Sequence, residues 1–144
     1  MLILHVLGAC VWVGGHFYLL IRLMPNFIRT NDVAGFLKFE KSYEPLGMAA
    51  LLVQVITGIY MMNDIVPVGL WGEPMGFLTG LIHSKLTWLG LTIITAAHAR
   101  FRIVARLQKG IGNERTLMLM GIHVGFICLW SVGFVVSGVL FRGW

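Results

Sequence analysis

The chain has 144 residues, of which 58% are hydrophobic and only 12% are charged. Soluble domains carry about 25% charged residues, so the composition excludes an ordinary soluble protein and favours a single membrane domain over residues 1–144. The formal net charge of +5 would suit nucleic acid. Because the basic residues follow a membrane topology, as described below, nucleic acid is excluded as a partner.

Four apolar segments are long enough to form transmembrane helices, which need about 20 mostly apolar residues. They cover about residues 1–23, 45–65, 77–99 and 117–141. We expect Pro25 to end the first helix, because proline interrupts the helical hydrogen-bond ladder. Residues 33–40 have the pattern of a short amphipathic surface helix, and loop 63–76 is expected to form an irregular cap. The predicted fold is all-α, an integral membrane four-helix bundle.

Lys and Arg residues are distributed unevenly between the two ends of this bundle. Only Lys85 and Arg142 lie at the end that holds both termini, which we call the terminal end. The other nine lie at what we call the basic end: Arg22, Arg29, Lys38, Lys41, Arg100, Arg102, Arg106, Lys109 and Arg115. Since cytoplasmic loops are enriched in Lys and Arg, we expect a cytoplasmic basic end and extracytoplasmic termini, in a bacterial-type inner membrane.

All five histidines lie within the predicted spans, where polar side chains are costly and need partners. With a helix rise of about 1.5 Å per residue, His5 and His83 lie about 5 Å below the terminal end. By the same measure His16, His98 and His123 lie about 24–27 Å below it. A single histidine in a span is more often a packing residue than a ligand. Five histidines in two tiers favour at least one metal or haem site.

The spacing of residues in the first helix also predicts which face of that helix carries the candidate ligands. His5, Ala9, Trp12 and His16 follow the i, i+4, i+7, i+11 spacing and share one stripe. Three glycines adjoin this stripe and leave room for a flat ligand: Gly8, Gly14 and Gly15. Two imidazoles on facing helices, with space for a macrocycle, suit a membrane b-type haem. We therefore predict one or two haem b groups, with Trp12 packed against a macrocycle.

In this prediction the terminal-end haem is ligated by His5 and His83. The basic-end tier offers His16, His98 and His123 for two ligand positions, so at least one of them is expected to have another role. Lys85 lies two residues after His83. It either extends to the lipid headgroups or pairs with an anionic group, such as a haem propionate or a substrate carboxylate, and Arg142 would assist it.

Methionine is the feature that favours copper, because thioether and imidazole ligands suit Cu(I). Met61 and Met62 lie with Asp64 near the terminal end, and Met118 and Met120 lie near the basic end. The eight methionines form no repeated motif. They are interpreted first as packing or lipid-facing residues, with copper binding by the two histidine tiers as the alternative to haem.

Residues 4–16, with the sequence LHVLGACVWVGGH, resemble the opening helix of the CopD copper-resistance family. Residues 39–58 also resemble the short four-helix members of that family, so the likeness covers nearly the whole chain. His5, Trp12 and the segment His83-Ser84-Lys85-Leu86 are similar to the related HemJ family of protoporphyrinogen oxidases. In HemJ proteins the corresponding His and Lys are associated with haem binding and activity.

The CopD resemblance implies copper handling in the cell envelope, and the HemJ resemblance implies haem b and quinone-linked electron transfer. The function expected is a quinol-linked b-type cytochrome. The alternatives are copper binding or transport and porphyrin oxidation. The expected partners are the lipid bilayer and a quinone or redox protein, and the oligomeric state is left open. Hydrolysis and phosphoryl transfer are not expected, because the sequence shows no nucleophile–base pair or phosphate loop.

Overall fold

The computed structural model describes residues 1–73 and 76–142, apart from the side chains of residues 141 and 142, and the secondary structure of this part is all helical. It consists mainly of four long helices: α1 (Leu2–Thr30), α2 (Val33–Ile65), α3 (Phe77–Gln108) and α4 (Glu114–Arg142). Each of the four is long and apolar enough to cross a membrane. The prediction of four helical spans is confirmed for the described residues.

The helices begin and end at residues that suit those positions. Asn31, with φ of 49°, adopts the left-handed conformation that stops α1. Asp32 then caps α2, because its carboxylate accepts a hydrogen bond of 2.8 Å from the Gly35 N–H. Gly76 and Gly110 also have positive φ, of 80° and 70°, and they stand before α3 and after it. Glycine adopts this conformation without the strain of a side chain.

The prediction that Pro25 ends the first helix is wrong, because α1 continues beyond that residue. A π-helical segment, Leu19–Leu23, is followed by a further α-helical segment, Met24–Thr30, in which proline lies in the first turn. The missing N–H costs least at that position, so the helix continues. Helix α3 contains a second π-helical segment, Ala99–Val104, near the same end of the bundle. Such segments occur frequently at functional sites.

Helix α2 also differs from the prediction. Residues 33–40 do not form a separate surface helix but are the first turns of the 33-residue helix Val33–Ile65, which contains Pro45. Transmembrane helices tolerate proline, because neighbouring groups satisfy the carbonyl that loses its partner. Three residues that the sequence placed in a loop therefore lie on α2: Glu40, Tyr43 and Glu44.

The terminal-end connection after α2 is folded over that helix. A 3-10 turn, Val68–Leu70, is followed by Trp71, whose indole N–H donates to the Val66 carbonyl at 2.7 Å. Leu81 and Ile82 pack with Val66 in a small buried core at this end. Residues 74 and 75 of the predicted cap lie outside the described residues.

The helices pack as two antiparallel pairs, α1 with α2 and α3 with α4. In the first pair, the Tyr43 hydroxyl of α2 donates to the Val11 carbonyl of α1 at 2.9 Å. In the second, the Trp130 indole of α4 donates to Thr95 of α3 at 3.3 Å. Many large apolar side chains remain exposed around the helices. A lipid bilayer would cover this surface, as expected for a multi-pass membrane protein.

Candidate functional site

Two apolar cavities lie one above the other inside the bundle. The terminal-end cavity has a volume of about 380 Å³, and the basic-end cavity has a volume of about 570 Å³. Both volumes are typical of small-molecule and cofactor sites, which range over about 300–1,000 Å³. Trp12 and Leu51 line both cavities. These two side chains therefore form the partition between the cavities.

His5 of α1 lines the terminal-end cavity. Its Nδ1 lies 2.8 Å from the Thr57 hydroxyl, which itself donates to the Val53 carbonyl at 2.5 Å. Because that carbonyl takes the hydroxyl proton, the threonine oxygen accepts from Nδ1–H, and His5 Nε2 carries the lone pair. The Gln54 side-chain amide also donates to the His5 carbonyl. This network fixes the tautomer and orientation, as the outer hydrogen bonds of metal-binding histidines do.

The cation that lines the same cavity is Lys85 of α3. His83, two residues earlier, is exposed and is not part of the cavity lining. Two positions on an α-helix differ by about 200° in direction, so His83 and Lys85 lie on nearly opposite faces. The structure thus brings His5 together with Lys85 and does not bring it together with His83. None of the described residues that line this cavity is acidic.

His16 is the histidine of the basic-end cavity. It is buried, and its Nδ1 lies 2.7 Å from the Trp12 carbonyl, which can only accept. Its Nε2 therefore carries the lone pair, as in His5. The Tyr43 ring packs edge-on to His16, with 5.7 Å between the ring centroids. A β-carbon at Gly15 would overlap the Tyr43 ring, so the glycine is what lets the tyrosine lie against α1.

An ion-pair cluster borders the basic-end cavity. Arg100 Nε lies 2.7 Å from Glu44, and Arg100 Nη1 lies 3.6 Å from Glu40. Two carboxylates face one guanidinium, so the formal charges of the three groups sum to −1. Sequence reasoning did not select these residues, because it placed Glu40 and Glu44 in a loop. Their i, i+4 spacing on a continued helix, at the depth of Arg100, is the signal that would have found them.

His98 and His123 form a hydrogen-bonded pair away from both cavities. His98 Nδ1 lies 2.9 Å from His123 Nε2, and the two rings are nearly parallel, at 12°. Neither residue is part of either cavity lining. The basic-end tier is therefore divided into this pair and His16. In the part of the chain that the structure describes, no group of three or more His, Cys, Asp or Glu residues is suited to a metal ion.

Of the predicted site residues, only Arg142 has a side chain that lies outside the described residues. No protein-family model matches the chain, and comparisons with curated proteins and with solved structures give no match. The resemblance to CopD and HemJ proteins therefore stays a prediction.

Proposed function

We propose that the protein is a b-type cytochrome of the membrane, which binds haem in the terminal-end cavity and a quinol in the basic-end cavity. One observation supports the proposal: His5 and Lys85 line the same apolar cavity, and its volume is in the range of cofactor sites. Haem b carries two propionates, and when bound it supplies one-electron redox chemistry. A neutral imidazole suits the iron of such a ligand, and an ammonium group suits its propionates.

The residues of the terminal-end cavity fit a haem. His5 would hold the iron through Nε2, because its other nitrogen is bound to Thr57. Lys85 would attract the propionates, and Trp12 would form the apolar floor. Gly58 lies beside the imidazole, and a β-carbon there would be 3.3 Å from His5 Cε1. The glycine thus allows His5 to lie close against α2.

The residues of the basic-end cavity fit a quinol better than a second anionic cofactor. Its described lining is largely apolar and includes the exposed side chains of Met48 and Phe101, so the cavity reaches the lipid-facing surface. The Arg100 charge is already offset by Glu40 and Glu44. An isoprenoid quinol is neutral and enters from the bilayer, and such a cavity would admit it.

Oxidation of a quinol to a quinone releases two electrons and two protons. A haem holds one electron at a time, so a redox partner at the terminal end would have to take the two electrons in successive steps. His16 Nε2 and the Glu44 carboxylate would accept the protons at the cavity wall. Trp12 lies between the two cavities and would keep the electron path short. The proposal includes an orientation with the basic end in the cytoplasm of a bacterial-type inner membrane, supported by nine of the eleven basic residues.

The test compares His5→Ala with the matched variant His83→Ala. Haem per chain is measured from the dithionite-reduced visible spectrum of tag-free protein, purified in detergent from haem-supplied cells. We expect His5→Ala to lose the haem of the terminal-end cavity and His83→Ala to keep it, because only His5 lines that cavity. If both variants retain all the haem, the site is wrong. If His83→Ala loses as much haem as His5→Ala, both histidines ligate the haem, as the sequence predicts.

A second candidate function uses the same cavity. Lys85 and His5 would also hold a carboxylate-bearing porphyrinogen for oxidation, as the HemJ resemblance implies. Three quinones, bound in turn in the basic-end cavity, would then accept the six electrons and six protons that this oxidation releases. Purified protein mixed with protoporphyrinogen and a short-chain quinone distinguishes the two. Enzyme-dependent porphyrin fluorescence that is lost in Lys85→Met supports porphyrin oxidation, and its absence leaves electron transfer.

A further inference from the structure

Charges at the basic end are divided unequally between the two helical hairpins. The α1–α2 hairpin has four basic and three acidic residues there: Arg22, Arg29, Lys38 and Lys41 with Asp32, Glu40 and Glu44. Beyond Arg100, the α3–α4 hairpin has four basic residues and one acidic residue: Arg102, Arg106, Lys109 and Arg115 with Glu114. The topology rule counts Lys and Arg on one side of a membrane and does not require this difference. The surplus positive charge on α3 and α4 therefore needs its own explanation.

The arginines of the α3–α4 hairpin are not neutralised within the chain. Arg102, Arg106 and Arg115 are exposed. In the part of the chain that the structure describes, every ion pair involves Arg100, and none includes these three side chains. None of the three lines either cavity. Guanidinium groups of this kind suit an external phosphate, which they bind through charge-assisted hydrogen bonds.

The histidine pair of α3 and α4 shows that the three arginines border one surface groove. His98 Nδ1 lies 2.9 Å from His123 Nε2, so the facing sides of the two helices meet at this level. Arg102 and Arg106 lie four and eight residues after His98, and Arg115 lies eight residues before His123. Such spacings keep side chains close to one stripe of a helix. Arg106 and Arg115 are therefore both about 12 Å from the histidine level, on opposite walls of what we call the arginine groove.

The depth of the arginine groove matches the phosphate layer of a membrane. His98 lies about 24–27 Å below the terminal end, and four further residues add about 6 Å. Arg102 is thus at about 30–33 Å, the boundary of a hydrocarbon core about 30 Å thick, and Arg106 is about 6 Å further out, among the headgroups. Leu119 and Ile122, which are apolar and exposed, lie on the inner side of Arg115, where acyl chains would contact them.

We infer that the arginine groove binds an anionic phospholipid such as phosphatidylglycerol, with its phosphate held by Arg102, Arg106 and Arg115. Basic pockets between transmembrane helices recognise anionic headgroups in this way. A zwitterionic phospholipid carries a cationic group beside the same phosphate, and the surplus positive charge of the groove disfavours that group. The site lies outside both cavities, so the inference requires neither haem nor quinol.

The test titrates detergent-purified protein with phosphatidylglycerol and counts the bound lipid by native mass spectrometry. One variant removes the three charges of the groove: Arg102→Gln/Arg106→Gln/Arg115→Gln. The matched variant removes three exposed charges of the α1–α2 hairpin at the same end of the bundle: Arg29→Gln/Lys38→Gln/Lys41→Gln. Each basic residue near a headgroup contributes about fivefold in affinity, so the groove variant should bind on the order of a hundredfold more weakly. The matched variant should stay within about fivefold of the wild type.

Three results would overturn the inference. Equal weakening in the two variants would show that the net charge of the basic end, and not the groove, attracts the lipid. Equal binding of phosphatidylcholine with the same acyl chains would show that the wild type does not recognise anionic charge. Displacement of the lipid by an equal concentration of inorganic phosphate would show that the groove recognises phosphate without the lipid.

A charge-retaining variant separates loss of charge from loss of fold. Arg102→Lys/Arg106→Lys/Arg115→Lys keeps three cations in the groove and should bind phosphatidylglycerol within about tenfold of the wild type. Circular dichroism measures the helix content of each variant. If the lysine variant has wild-type helix content and loses as much affinity as the glutamine variant, the charge of the groove does not hold the lipid.

Discussion

The two cavities share a wall and a histidine geometry but differ in charge. Each contains one imidazole, His5 or His16, whose Nδ1 is bound and whose Nε2 carries the lone pair. Lys85 lines the terminal-end cavity, whereas Arg100 of the basic-end cavity faces two carboxylates. An ammonium group in an apolar lining favours an anionic ligand, and a guanidinium already faced by carboxylates favours a neutral one. The same ligand type is therefore not expected in both.

The backbone also distinguishes the cavities. The π-helical segments Leu19–Leu23 and Ala99–Val104 contribute lining residues to the basic-end cavity, and neither contributes to the described lining of the terminal-end cavity. His5 lies on regular α-helix, so its position is set by a rigid element. The π-helical segments therefore border the basic-end cavity, which a mobile substrate would enter and leave.

The largest expected effect comes from Gly15→Ala, with Gly14→Ala as the control. A β-carbon at Gly15 would overlap the Tyr43 ring, whereas one at Gly14 meets nothing within 4 Å. We expect Gly15→Ala to lower the free energy of unfolding by about 1–3 kcal/mol, because overpacking forces the tyrosine from its site. The melting temperature should fall and quinol-dependent haem reduction should slow. Gly14→Ala should be neutral or slightly stabilising, since alanine favours helix. Equal behaviour of the two variants would contradict the packing of Tyr43 on α1.

A smaller effect is expected from removing the two cations, one at a time. Lys85→Met should weaken haem binding about tenfold, which corresponds to about 1.4 kcal/mol. Arg100→Met should leave haem binding unchanged, because Arg100 lies in the other cavity. Transfer of haem to an excess of apomyoglobin measures the difference. Faster haem loss from Arg100→Met than from Lys85→Met would reverse the assignment of the cavities.

The smallest effect concerns Thr57. Thr57→Val keeps the shape of the side chain but removes the acceptor of the His5 Nδ1–H, a bond worth about 1 kcal/mol. Haem affinity should fall about fivefold, and the midpoint potential should rise because the imidazole becomes less basic. Thr57→Ser retains the hydroxyl and should behave like the wild type. An unchanged potential in Thr57→Val would show that this hydrogen bond does not tune the ligand.

The sequence predicted the helical spans, the depths of the histidines and the stripe of α1 that lines the cavities, but not the directions of the histidines on α3 and α4. Helix rise alone sets depth, so His98 and His123 were placed in one tier, and they are in contact. The direction in which a side chain points depends on how its helix is rotated in the bundle. The apolar residues around His83 do not indicate that rotation. His5 and His83 share a depth and face different surroundings.

The basic-end cavity was the part that sequence reasoning missed. Proline usually marks the end of a helix, so the sequence predicts that Pro25 ends the first helix, and the second predicted span begins only at about residue 45. In the structure both lie inside continuous helices. Because α2 continues on both sides of Pro45, Tyr43 lies beside His16. Local sequence pattern does not encode that continuation, because it depends on partners from other helices.

We propose above all that His5 ligates a haem in the terminal-end cavity. The most direct test is the visible absorption spectrum of the wild-type protein, purified in detergent from haem-supplied cells and recorded air-oxidised and then dithionite-reduced. We expect a Soret band that shifts on reduction, from haem b that co-purifies with the chain. A featureless spectrum from folded protein would contradict it.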